Sequence, residues 1–193
     1  MPAGEKNIRK SEPAQLNSSH GKLTGLVYLL YFLIAILSQV FQKHQILYLS
    51  LNLIANIFYI ILSILFYFLF KPVNRNLSLV AATFSILGCI VGSLELFHID
   101  LHEINPLLFF GPYCILIGWL VWRSDFLPGL LGLLMIAAGF GWLFSILPQA
   151  KNFSMYIQIV GILAEGILML WLLIRGVDEK RWIASAEAMR TFS

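Results

Sequence analysis

Glu165 lies eleven residues into the apolar run that begins at Ser154. At a 1.5 Å rise per residue, that places it roughly 16 Å along a helix, near the middle of a bilayer. A carboxylate at that depth costs about 2.5–3.5 kcal/mol even on insertion scales, so it must face other helices and find partners. Gln158, Gly161 and Glu165 follow three- and four-residue spacings and therefore share a face. Asn52 and Asn56 are four apart on another apolar run, and Glu95 and Gln39 stand near the ends of two more. Polar groups in such positions either line a cavity or bond a neighbouring helix. In the first case Glu165 is the floor of a polar pocket that holds a small ligand, with Gln158, Asn52, Asn56 and Glu95 around it. In the second it is a hydrogen-bonding clamp.

A second constellation is Glu95, His98 and His102. Spacings of three and four put all three on one side of a helix, if the helix runs through the segment. Two imidazoles and a carboxylate so placed could hold Zn²⁺ and support metal-dependent hydrolysis. The segment has no His-Glu-x-x-His motif, and Zn²⁺ is the one cofactor these residues suggest. No serine occupies a nucleophile-elbow motif, and no glycine-rich loop precedes a helix in a phosphate-binding arrangement. Cys89 and Cys114 both lie inside apolar runs, where free cysteine usually acts as a small hydrophobe.

The elements that carry these residues follow from composition. The 193 residues are 59% hydrophobic and 12% charged, with a mean hydropathy of +0.82. A soluble domain carries roughly twice that charge fraction and cannot hide so much apolar surface in one core. Six runs reach the length a membrane helix needs, about 17–25 residues, or approach it. They are Leu23–Phe41, Ile46–Phe70, Leu77–Phe97, Leu107–Trp122, Phe126–Leu147 and Ser154–Ile174. The fourth is the shortest. Proline at 72, 106, 128 and 148 marks the breaks, where a missing amide hydrogen costs little. The polar first 22 residues lead directly into the first run without a cleavage pattern, which predicts a retained helix.

Loop charge sets an expected orientation. With the N-terminus in the cytoplasm, eleven of the Lys and Arg residues fall inside, from Lys6 and Arg9 to Arg181 and Arg190. Only Lys43 and Lys151 fall outside. The strongly polar residues within the runs then collect toward the outer side, which makes an outward-facing vestibule the expected form of any pocket. The basic residues read as topology signals and not as a nucleic-acid footprint. After Gly176 the tail is polar, with Trp182, Ile183 and Ala186 on one face. It is either a short interfacial helix or a frayed end. Ala137, Gly141 and Ser145, and separately Gly88 and Gly92, are spaced for close helix packing.

Several segments carry a family resemblance. They are "GKLTGLVYLL" with Gly25 and Tyr28, "FYFLFKPVNRNLSLVAATF" around Lys71–Arg75, "FFGPYCILIGWLVWRSDFLPGLLGLLMIAAGFGWL" from Phe109 to Leu143, and "LWLLIRGVDEKRW". Together they resemble the bacterial integral membrane family known as domain of unknown function 4386. Two features depart from its usual pattern: Ser85 on the third helix and the short loop before the second. The resemblance implies a compact six-helix membrane domain and transfers no activity or site residue.

The sequence thus predicts an all-α, polytopic bundle of six transmembrane helices in the cell membrane, with both termini cytoplasmic. Residues 1–22 form a cytoplasmic segment, 23–175 the membrane domain and 176–193 a cytoplasmic tail. The expected role is binding or transport of a small ligand through an outward polar pocket. The alternatives are a membrane-embedded metal-dependent hydrolase and a structural or regulatory subunit. No internal repeat marks a repeat-built transporter, and oligomeric state is left open.

Overall fold

The structure is a computed structural model that describes residues 12–99 and 104–191. Among the described residues, every regular element is helical. These are α1 (Glu12–Val40), α2 (Gln45–Phe70), α3 (Arg75–Leu96), α4 (Leu107–Arg123), α5 (Gly129–Ser145), α6 (Ser154–Ile174) and α7 (Glu179–Thr191). A 3-10 turn, Pro148–Phe153, leads into α6. Each of α1–α6 packs on its sequence neighbours, and α6 returns to α1, so the six close into a ring. Short connections make neighbours antiparallel. One end of the bundle carries the α1–α2 and α5–α6 turns. The other carries the α2–α3 and α4–α5 turns together with α7.

The surface is apolar and the buried polar groups are inside. Leu33, Ile36, Leu130, Leu133, Phe140 and Ile162 are all more than half exposed, whereas Ser38, Ser63, Ser78, Ser85 and Thr24 are fully buried. A water-soluble bundle reverses this arrangement, and patches this large need lipid. Four helical stretches are long and apolar enough to cross a membrane: His20–Val40, Gln45–Phe70, Arg75–Leu96 and Ser154–Ile174. This is a helical membrane protein.

α4 and α5 are shorter, 17 residues each. α5 stops well inside the expected Phe126–Leu147. Pro128 has an extended backbone and starts the helix late, which leaves Phe126 and Leu127 free to tuck into the core. Phe126 stacks on Phe70 with centroids 6.0 Å apart. α1 differs the other way, beginning at Glu12 instead of Leu23.

α4 and α5 make the closest approach in the bundle, through reciprocal glycines. A Cβ on Gly118 would sit 2.6 Å from the Gly132 carbonyl oxygen, and one on Gly132 would collide with that of Gly118. Seven residues along each helix, Gly111 and Gly139 repeat the contact. The small-residue stripe expected on α5 was Ala137, Gly141 and Ser145, yet Ala137 is exposed. The working stripe is Gly132 and Gly139, because the partner helix has glycines in register with those two. Gly141 instead faces Ile157 of α6.

A polar zipper holds α2 to α3. The Asn56 Nδ2 donates to Ser93 Oγ at 2.9 Å, the Ser63 and Ser85 hydroxyls lie 2.5 Å apart, and Ser78 Oγ donates to the Tyr67 carbonyl at 2.9 Å. Asn74 caps α3 by accepting from the Leu77 amide at 3.0 Å.

Overpacked cores typically lose about 1–3 kcal/mol. Gly132→Ala is therefore expected to lower the melting temperature of the detergent-solubilised protein, and Ala137→Leu, on the lipid-facing side, to leave it unchanged. Differential scanning fluorimetry of the two variants checks the assignment of that face.

Candidate functional site

Glu165 lies near the middle of α6 and is buried, 9% exposed. Its face of α6 also carries Gly161, Ala164 and Leu168, all turned inward. Two small residues before a carboxyl group leave room for partners from other helices. Trp142 of α5 uses that room: its ring occupies the space that a Cβ on Gly161 would need. The same indole interacts with the Glu165 carboxyl group.

The principal partner comes from α1. Tyr28 Oη donates to Glu165 Oε2 at 2.9 Å, with both residues buried. One turn earlier on α1, a Cβ on Gly25 would collide with the Leu173 amide nitrogen. The absence of a side chain at Gly25 brings α1 against α6, and Tyr28 then spans the contact. The other carboxyl oxygen, Oε1, has the Cys114 Sγ of α4 at 4.0 Å.

An aromatic shell surrounds this group. The ring of Tyr59 on α2 contacts Tyr31 with centroids 4.7 Å apart and Tyr113 at 5.9 Å. Tyr28 meets Phe66 edge-on at 5.9 Å. Tyr28, Tyr59, Tyr113 and Cys114 are each 5% exposed or less. No buried side-chain nitrogen or oxygen among the described residues lacks a partner. Glu165 is thus enclosed by packed side chains and is not the floor of an open vestibule.

The other residues expected around it are elsewhere. Asn56 serves the α2–α3 zipper. Asn52 is half-buried and donates to the Tyr48 carbonyl of its own helix at 2.8 Å. Gln158 is exposed, although it shares the face of Glu165 by spacing. Residues 154–160 of α6 contain no fully buried position, so that part of the helix is more open than the turns around Glu165, with Ile157 against Gly141 of α5.

Glu95 and His98 both line a groove of about 550 Å³ at the α1–α2 end. Gln42, Gln45 and Tyr48 form its opposite wall. Helical continuity does not bring the two together. α3 ends at Leu96, and His98 takes a left-handed backbone, φ 57°. Its amide donates back to the Glu95 carbonyl at 3.0 Å. His102 lies outside the described residues. Among the described residues, no three His, Cys, Asp or Glu side chains gather as a metal site requires.

Sequence reasoning missed Tyr28, Tyr59, Tyr113 and Trp142 as partners of Glu165. A signal existed: tyrosines inside apolar runs and away from their ends need a partner for the hydroxyl. Removing the Tyr28 hydroxyl leaves a buried carboxyl group without its main donor, and interhelical hydrogen bonds in lipid contribute about 0.6–2 kcal/mol. A double-mutant cycle with Tyr28→Phe and Glu165→Gln is expected to show a coupling of about 0.5–2 kcal/mol in unfolding free energy. Additive effects would mean the two groups act independently.

Comparison with known proteins adds a family. The family model described as "Domain of unknown function (DUF4386)" matches residues 100–176, which contain the Phe109–Leu143 stretch. A protein of Archaeoglobus fulgidus described as "Uncharacterized protein" is 30% identical over 116 residues, covering 57% of this chain and 72% of that protein. No solved structure matches.

Proposed function

The chain belongs to the family described as "Domain of unknown function (DUF4386)", and from that premise we propose that it is a six-span protein of the cytoplasmic membrane that binds a small organic cation in an outward-facing groove. Residues 1–22 and the segment from 176 onward lie in the cytoplasm, and 23–175 form the membrane domain. The eleven-to-two distribution of basic residues supports this orientation. α4 and α5 cross as a tightly packed pair. Each is roughly 26 Å long at 1.5 Å per residue, slightly under a hydrocarbon core of about 30 Å, a shortfall that local thinning accommodates.

The observation that carries the ligand class is the groove lined by Gln42, Gln45, Tyr48, Glu95 and His98. Amide and phenol groups offer hydrogen bonds, Leu49 and Leu96 offer an apolar wall, and Glu95 offers negative charge. Lys43 stands in the turn between Gln42 and Gln45, so the attraction for a cation rests on Glu95 at the facing wall of the groove. The packed side chains around Glu165 support binding at this groove over passage through the bundle, and binding alone suits a regulatory membrane subunit.

Two measurements test this reading. His98→Cys is expected to react with a membrane-impermeant maleimide in intact cells, because the native Cys89 and Cys114 are buried. Labelling that appears only after permeabilisation would reverse the orientation. In scanning fluorimetry with spermidine, choline and agmatine, at least one amine should raise the melting temperature. A ligand at a hundred times its Kd stabilises by about 2.7 kcal/mol. Glu95→Gln should abolish most of the shift. No shift with any amine, or an equal shift in the variant, would remove the ligand assignment.

A further inference from the structure

We propose that the groove between α2 and α7 holds one anionic phospholipid of the leaflet at the α7 end, with its phosphate at Lys71 and His20 and an acyl chain along α2. That leaflet is the cytoplasmic one in the orientation with both termini inside. The groove has a volume of about 290 Å³, and its lining includes His20, Leu65, Phe68, Leu69, Lys71 and Trp182. Leu65, Phe68 and Leu69 are three and four residues apart, so they form one ridge on the last turns of α2. Phe68 is 54% exposed, and Ile61 and Ile64, further up the helix, are also exposed. The ridge therefore continues from the groove onto the lipid-facing side, as an acyl chain requires.

The polar end of the groove is selective by charge. Lys71 directly follows α2, where the apolar helix gives way to the turn, and among the described residues no acidic side chain lines the groove. On the opposite flank of α7, Arg123 shares its groove with Asp125, which offsets the attraction for a phosphate. α7 itself is tied to the bundle by hydrogen bonds. Trp182 Nε1 donates to the Leu69 carbonyl at 2.9 Å, the Asp178 amide donates to the Phe126 carbonyl at 3.1 Å, and Arg181 Nη1 donates to the Asp125 carbonyl at 2.9 Å. Gly176, at φ 69°, makes the left-handed turn that folds the chain back under the bundle. A groove with a hydrogen-bonded roof, an apolar wall open to the bilayer and a lysine at its mouth fits a phospholipid better than a soluble anion.

Native mass spectrometry of the full chain, released from detergent after titration with dioleoyl phosphatidylglycerol or dioleoyl phosphatidylcholine, tests this without depending on orientation. The expected result is one retained phosphatidylglycerol, preferred over phosphatidylcholine. Lys71→Gln should reduce that preference about fivefold, the factor one lysine contributes near an anionic headgroup. Ala186→Phe, which fills the groove and keeps Lys71, should reduce retention of both lipids. Excess inorganic phosphate should not displace the bound lipid. Equal retention of the two lipids by the native chain, unchanged preference in Lys71→Gln, or displacement by free phosphate would overturn the proposal. Maleimide labelling of His98→Cys reports on orientation separately, so the two failures can be told apart.

Discussion

The hydrogen bond from Tyr28 to Glu165 joins the first membrane-length helix to the last. Oil offers a carboxyl group no solvent, so its partners must come from the protein. That requirement selects among arrangements of the helices. α6 can place Glu165 acceptably only where a donor waits, and the donor sits on α1, 137 positions away. Gly25 makes the approach possible by removing the side chain that would otherwise separate the two backbones. The remaining contacts of the ring join sequence neighbours across short turns. This one fixes how the ring closes.

The same constraint orders the rest of the bundle. Between α2 and α3 it takes the form of the asparagine and serine zipper. Between α4 and α5 no polar group is needed, because paired glycines allow the backbones to meet and dispersion supplies the attraction. Serine and threonine hydroxyls elsewhere return to carbonyls of their own helix, as Thr24 does with His20 at 2.7 Å and Thr83 with Leu79 at 3.0 Å. Polar chemistry left over after these pairings is found at the two ends, in the groove beside Glu95 and His98 and in the grooves beside α7. A packed middle with grooves at both ends is the physical form such a molecule takes when its centre is spent on holding helices together.

Much of this was legible in the residues. Hydropathy and proline placed α2, α3 and α6 within two residues of their observed ends, and the depth of Glu165 required a buried partner. The Phe109–Leu143 stretch pointed to the family whose model matches. What the sequence withheld was relative rotation. Helical spacing puts Gln158 and Glu165 on one face, but it does not reveal that the first turns of α6 are more open than the turn that holds Glu165. It puts Ala137 and Gly141 on one face without showing where α4 lies, and α4 meets Gly132 and Gly139 instead. Tyr28 was visible as a residue of the first helix, and nothing local connects it to a position 137 residues later. The left-handed backbone at His98 likewise broke the helical register that a zinc site on one face needs.

A bundle closed by buried polar contacts is expected to keep water from Glu165, and this can be measured directly. Cys114 is a native reporter, with its sulfur 4.0 Å from the carboxyl group, and only an accessible thiolate reacts quickly with a thiosulfonate. In membranes containing the Cys89→Ala chain, treatment with the permanently charged methanethiosulfonate ethyltrimethylammonium from either side should leave Cys114 unmodified by intact-protein mass spectrometry. Modification at a rate typical of a water-exposed thiol would reveal an aqueous path to the centre of the bundle and contradict its closure around Glu165.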